Sequence, residues 1–286
     1  MIRSGNQISR RSFIGSMAAV GAATAVPGTL FAAKPNSLFG GVQIGTITYS
    51  YRSMPKGAEA VLQHCVNSGL SSIELMGYTV ESYAKGSLEK VKDLRKMYED
   101  AGVNIHIVKY GDIGNKNVSD ERINYYFDVA KALASPCITR EVSEEAARRL
   151  GPMADKHGVK VAFHNHTQIN QTTYDGPILG YGKNLMINLD TGHYVAANDD
   201  SVVKLMEKYQ NRIYSVHLKD RKTKAHKGSN MPFGEGDTPV LEVMTFIKKN
   251  KLPIYADIEL EYKIPENSDA VKEVARCLQY CKKPLV

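Results

Sequence analysis

The chain has 286 residues, 43% of them hydrophobic and 23% charged, with a formal net charge of +7. That is enough apolar material for one large core and too much for a disordered chain. No apolar run is long enough to read as a transmembrane helix. Three arginines of the positive balance fall in the first 33 residues, so the remainder carries only +4 (7 − 3), with scattered lysines and arginines, which argues against a nucleic-acid partner.

The first 33 residues read as a leader. Arg3, Arg10 and Arg11 give a positive start with no acidic residue. An apolar Ala/Gly-rich run follows at 14–26, with small residues at 23–25 and 32–33 that suit cleavage. The run Ser9-Arg10-Arg11-Ser12-Phe13-Ile14-Gly15 resembles the twin-arginine motif, which marks export of folded proteins. The expectation is a leader at 1–33, one domain at 34–286, and an exported, periplasmic product with no membrane span after processing; an uncleaved anchor is the variant.

From residue 34 onward, short β-branched runs alternate with longer amphipathic ones. A strand at 43–49 is followed by a helix at 57–67, with Ala60, Val61, Leu62 and Val66 apolar, and by a strand at 72–76. A helix at 88–101 leads to a strand at 104–109, a helix at 119–133 to a strand at 137–140, and a helix at 144–157 to a strand at 160–164. The connection 167–184 reads as a long loop with at most a short helix, and loops of that length are often functional. Strand 185–189, helix 200–209, strand 213–218, helix 239–249, strand 254–260 and helix 269–281 complete the series. Ser143, Asp200 and Ser268 suit helix N-caps, and Gly69, Gly102 and Gly158 suit helix ends. Cys65, Cys137, Cys277 and Cys281 lack metal-ligand spacing. A bridge between Cys277 and Cys281, one helical turn apart, would close too small a loop to stabilise much, so buried free thiols are expected.

Eight strands in strict alternation with helices predict an α/β fold with a parallel sheet, closed as a single (β/α)8 TIM barrel. A doubly wound sheet is the rival, but its Gly-rich nucleotide loop is missing after the first strand. In barrels of this kind the site lies at the C-terminal ends of the strands, and the unusual polar residues cluster there. The fifth strand ends Phe163-His164-Asn165-His166, the sixth Asn188-Leu189-Asp190-Thr191-Gly192-His193, the seventh Val216-His217-Leu218-Lys219-Asp220 and the eighth Asp257-Ile258-Glu259-Leu260-Glu261. Period-two parity sets Ile187 and Leu189 against Asn188 and Asp190, Val216 and Leu218 against Ser215, His217 and Lys219, and Ile258 and Leu260 against Asp257 and Glu259. The apolar faces can pack on helices, so the polar faces point inward. Carboxylates and imidazoles gathered there are costly unless paired or metal-bound. Such a set, without cysteine, suits a divalent metal: Mn, Zn, Co or Mg.

At these residues the chain resembles the xylose isomerase-like barrel superfamily, which includes sugar phosphate isomerases/epimerases, ketose 3-epimerases, inosose dehydratase and the endonuclease IV relatives. The motifs are Ile73-Glu74-Leu75, Leu189-Asp190-Thr191-Gly192-His193, Val216-His217-Leu218-Lys219-Asp220 and Asp257-Ile258-Glu259, and the likeness covers the chain beyond the leader. It implies Asp190, His217 and Glu259 as metal ligands and His193 as a substrate contact. A glutamate usually stands where His164 is found, so His164 becomes the fourth ligand; His164-Asn165-His166 also resembles members with a further glutamate where Ile169 stands here. The implied activity is that of a metal-dependent isomerase/epimerase of a sugar or keto-sugar acting through a metal-stabilised enediolate. Glu259 and His166 (or His164) would exchange protons, and Lys219 would stabilise the enediolate, or else merely pair with Asp220. The exchange of His for Glu raises the alternative of a lyase or hydratase, removing water or a glycoside group from a keto-sugar, 3-keto-glycoside or cyclitol. Glu74, His106 and Arg140, near strand ends, are candidate binders of substrate hydroxyls. Endonuclease-type chemistry needs more clustered histidines than the early strands supply, and a non-catalytic sugar-binding barrel is the remaining rival. A small sugar or cyclitol is the expected partner, with a homo-oligomer possible.

Overall fold

Eight parallel strands close on themselves in a computed structural model that describes residues 34–286; the leader read at 1–33 lies outside the described residues. The elements in order are β1 (Leu38–Phe39), β2 (Val42–Ile47), α1 (Ala58–Asn67), β3 (Ser72–Met76), α2 (Gly77–Ala84), α3 (Leu88–Asp100), β4 (Asn104–Lys109), α4 (Asp120–Ala132), β5 (Cys137–Glu141), α5 (Glu144–His157), β6 (Lys160–His164), β7 (Leu185–Asp190), α6 (Thr191–Ala197), α7 (Val202–Tyr209), β8 (Ile213–Leu218), α8 (Val240–Lys249), β9 (Tyr255–Ile258) and α9 (Ala270–Cys281). Strands β2 to β9 pair in sequence order, and β9 returns to β2 with Gly45 opposite Asp257. This is the single (β/α)8 barrel. The two-residue β1, which carries too little pattern to be read from sequence, pairs antiparallel with β2.

Local chemistry explains the helix ends. Ser87, Ser119 and Ser143 cap α3, α4 and α5 by accepting the backbone N–H of the third helical residue. The caps expected at Asp200 and Ser268 lie one residue later. Ser201 caps α7 and Asp269 caps α9, while Asp200 accepts the hydroxyl of Tyr194 at 2.6 Å. Gly69, Gly102 and Gly158 follow helices with positive φ, as the sequence suggested. The segment 167–184 carries only short 3-10 turns at Thr173–Asp175 and Pro177–Tyr181.

The main core lies between the outward faces of the strands and the helices, with Leu75, Val108, Phe163, Leu189 and Val216 buried in it. Inside the barrel a small apolar group, Ile107, Cys137, Ala162 and Tyr214, comes from β4, β5, β6 and β8. Above it the interior turns polar. All four cysteines are buried free thiols. No helix among the described residues is long and apolar enough to cross a membrane.

Candidate active site

The ends of β6, β7 and β8, with the residue just past β9, bring His164, Asp190, His217 and Glu259 together. One nitrogen or oxygen from each lies within 4.8 Å of the others, and all four side chains are buried. Each is held by a neighbour. His164 Nδ1 donates to Asn188 Oδ1 at 2.7 Å, and the Asn188 amide nitrogen donates to Ser215 at 2.6 Å. That orientation leaves His164 Nε2 as a lone pair. His217 meets Glu259 through Nδ1 at 2.9 Å and Glu74 through Nε2 at 2.8 Å, while Glu74 accepts from Thr139 at 2.6 Å.

The Asp190-Thr191-Gly192-His193 run has a local logic of its own. Asp190 Oδ1 accepts the backbone N–H of His193 at 2.7 Å and caps α6. The Thr191 hydroxyl donates to the backbone oxygen of His217 at 3.0 Å. A side chain at Gly192 would put its Cβ 2.5 Å from the backbone oxygen of Lys219, so only glycine lets α6 lie this close to β8.

Asp190 Oδ2 is fully buried and has no hydrogen bond. Lys219 Nζ lies 3.0 Å away, but off the direction a hydrogen bond needs. An orphaned carboxylate oxygen facing two imidazoles and a second carboxylate fits a divalent cation. The donor set, nitrogen and oxygen without sulfur, suits Mn, Zn, Co or Mg. Glu74 behind His217 and Asn188 behind His164 fix those imidazoles from the far side, as outer partners do for a ligating histidine.

Burial opposes charge on Glu259, but Lys219 and His217 outweigh it and hold the carboxyl well below its usual range. Burial likewise opposes ionisation of Glu74, and His217 brings its pKa below the usual value. His217 is pushed up because Glu74 and Glu259 outweigh burial. Burial, helped by Lys109 and His217, holds His164 down and neutral. Burial and the Lys219 and Arg221 cations lower His193 to about 3. Burial raises Asp190, with Lys219 pulling the other way.

A cavity of about 380 Å³ opens over this cluster, large enough for a sugar-sized molecule. His164, His166, His193, Lys109, Glu259 and Glu261 give it a polar side, and Ile47, Tyr49 and Met76 an apolar one. A larger groove of about 740 Å³ runs along α9 near Phe233, Arg276 and Tyr280, away from this chemistry; its buried carboxylate, Glu273, is already bonded to Tyr262, Ser268 and Arg276.

Of the residues singled out in the sequence, His164, Asp190, His193, His217, Lys219 and Glu259 converge here. His166 stands on the rim, half-exposed, with Nε2 3.5 Å from Glu141 Oε2. Three expected hydroxyl binders do not line the cavity. Glu74 lies behind His217. His106 sits deeper, between Ser72 and Asp257 at 2.8 Å each and stacked on Tyr255. Arg140 turns outward to the backbone oxygen of Ile113 at 2.7 Å and to Asn115. These contacts satisfy buried polar groups. The Lys219–Asp220 pair is also absent. Lys219 turns into the barrel towards Asp190, Glu259 and Glu261, while Asp220 accepts the backbone N–H groups of Gly234, Gly236 and Thr238. Sequence reasoning missed Lys109 and Glu141, an ion pair of 3.0 Å at the ends of β4 and β5. The signal was available: each is the charged last residue of a strand, at the end where the site was expected.

A closed parallel barrel whose carboxylates, imidazoles and an ammonium converge at the C-terminal mouth defines an α/β-barrel enzyme with a site for a small polar molecule. Residues 62–281 match the xylose isomerase-like TIM barrel family, and the chain belongs to that family. Residues 7–27 match a twin-arginine translocation signal sequence, which directs export across a membrane. The chain is 28% identical to an inosose dehydratase of Clostridium tetani over 148 residues, 44% of this chain and 49% of that one. It is 27% identical to an inosose dehydratase of Clostridium perfringens over 136 residues, 41% and 46% of the two chains. It thus spans about half the length of the curated relatives it matches. Among solved structures it resembles a probable 3-DHS dehydratase from Bacillus anthracis, with TM-score 0.69 and 16% identity over 85% of this chain and 99% of that one. An L-ribulose 3-epimerase gives TM-score 0.65 and 13% identity over 85% and 94%. At these identities the two structures show a shared fold.

Proposed function

We propose that the protein is a divalent-metal-dependent lyase that removes water, or a glycoside group, from a carbon next to a keto group in a sugar or cyclitol. The observation that carries this reading is the asymmetry of the site: the cavity sets Glu259, held ionised, beside His164 and His193, which are held neutral, and the side chain of Lys109. The dehydratase relatives support it. His164, Asp190, His217 and Glu259 would hold the ion, which when bound supplies Lewis-acid polarisation of a carbonyl.

This chain's residues then divide the work. His166, on the rim and free to reach into the cavity, takes the proton on the carbon beside the carbonyl. Glu259 accepts from a substrate hydroxyl and fixes its position. Lys219, whose ammonium lies 3.1 Å from the cavity-lining Glu259, stabilises negative charge developing on oxygen. As the proton leaves, a carbon–carbon double bond forms and the neighbouring C–O bond breaks. The departing oxygen takes that proton back from the His166 imidazolium and leaves as water or an alcohol. A two-base epimerisation, with Glu259 and an imidazole on opposite faces, is the second reading; the same cavity carries both kinds of group. In this reading the domain at 34–286 is released by leader cleavage and works in the periplasm on free sugars or glycosides.

The test is NMR of the mature protein with Mn²⁺ and a panel of keto-sugars and keto-cyclitols in D₂O. Loss of a hydroxyl or aglycone, abolished in Glu259→Gln, is expected. Deuterium uptake without elimination would favour epimerisation, and neither reaction across the panel would overturn both. Elemental analysis should show near-stoichiometric metal that falls in Glu259→Ala and His217→Ala.

A further inference from the structure

Lys219 is a lysine with almost no exposed surface, 2% of its side chain. Its ammonium lies 3.0 Å from Asp190 Oδ2, 3.1 Å from Glu259 Oε2, 2.9 Å from Glu261 Oε2 and 3.0 Å from His193 Nε2. Two of these carboxylates belong to the four-residue cluster that suits a divalent ion. The third, Glu261, does not. Three carboxylate oxygens and an imidazole nitrogen thus crowd one ammonium, which has three protons to give. Any cation entering between Asp190 and Glu259 must approach a fixed positive charge that shares both of its anionic ligands.

We infer that Lys219 is an internal counter-cation that sets how tightly the site holds its divalent metal, with Glu261 and His193 as the partners that keep the ammonium when the metal takes Asp190 and Glu259. The inference rests on the proposed metal position. Lysine in this place has two opposite effects. It offsets two buried carboxylates and so supports the fold without an ion, because uncompensated buried charge is costly. It also repels a second cation nearby in a medium of low effective dielectric. The result is a site that tolerates emptiness and binds its ion less tightly than the bare ligand set would. Glu261 lies on the cavity wall and completes the design, since it offers the ammonium an acceptor outside the metal cluster.

The experiment is isothermal titration of the mature protein with Mn²⁺ and with Zn²⁺, together with thermal melts in chelator and in saturating metal. The chains compared are wild type, Lys219→Met, Lys219→Gln and Lys219→Arg. Loss of the charge in Met or Gln should tighten metal binding about tenfold or more, since each tenfold corresponds to only about 1.4 kcal/mol. It should also lower the melting temperature in chelator and enlarge the gain on adding metal. Lys219→Arg, which keeps the charge, should bind metal like wild type to within about threefold. Gln preserves polarity, so a folding failure of the Met variant does not remove the test. Wild-type binding with equal or weaker affinity in the Met and Gln variants would overturn the role of Lys219 and leave the metal position standing. Binding by none of the four chains would overturn the metal position and the inference with it.

Discussion

His193 is an imidazole set between two cations. Its Nε2 faces Lys219 at 3.0 Å and its Nδ1 faces Arg221, and burial, Lys219 and Arg221 together hold it near 3. An unfolded histidine titrates near about 6.5. Between those values the unfolded chain takes a proton that the folded chain refuses, so this residue's contribution is complete above about pH 6.5 and is lost as the pH falls towards 3. Replacement by glutamine should flatten the acid limb of stability. Urea midpoints in chelator from pH 7 to 4 should fall less steeply in His193→Gln than in the parent; parallel slopes would refute the assignment. The residues that meet at the mouth were legible because strand parity alone aims them inward. Their secondary partners were not. Asn188 behind His164 and Glu74 behind His217 are separated from them by 24 and 143 residues, and nothing local in the sequence encodes such a pairing. His106 misled for a related reason: its strand is irregular between β3 and β4, where Ile73 and Glu74 oppose Ile105 and Ile107. Position along the strand therefore placed it higher than it lies.

At the scale of elements, β2 and β9 show how one absent side chain admits another. A Cβ at residue 45 would fall 2.2 Å from Asp257 Oδ1 and 3.1 Å from the backbone oxygen of Ser72. Asp257 has little room to yield, because its other oxygen is bonded to His106. Gly45→Ala should destabilise the protein by about 1–3 kcal/mol through overpacking, read as a lower urea midpoint at unchanged slope. An unchanged midpoint would mean that the carboxylate has another place to go. Most strands and long helices were readable from their periodicity. The short helices α2 and α6 were not. They begin at Gly77 and at Thr191-Gly192, where propensity is weak, and they exist because they pack: Gly192 against Lys219, and Gly77 close to Tyr110. In α6 the capping aspartate is also the metal candidate, so the chemical signal masked the structural one.

For the whole molecule, the twin-arginine leader makes folding a condition of export. Conversion of Arg10 and Arg11 to lysine should leave full-length precursor inside the cell. Fractionation and blotting against the wild type checks this, and unchanged export would point to another route.

The pairing that seals the barrel gives that condition a timetable. Strand β2 completes its ladder only with β9, and the Thr46 hydroxyl reaches the backbone oxygen of Ile258 across 212 residues. Until the last strand emerges from the ribosome, the first has an open edge, and loop-closure entropy over that distance makes the final step slow. A nascent chain with its leader already displayed is therefore still unsealed. A transporter that accepts only finished barrels is in effect testing for the arrival of β9, and chains that stop before it should be held back even though the leader and the seven earlier barrel strands are present.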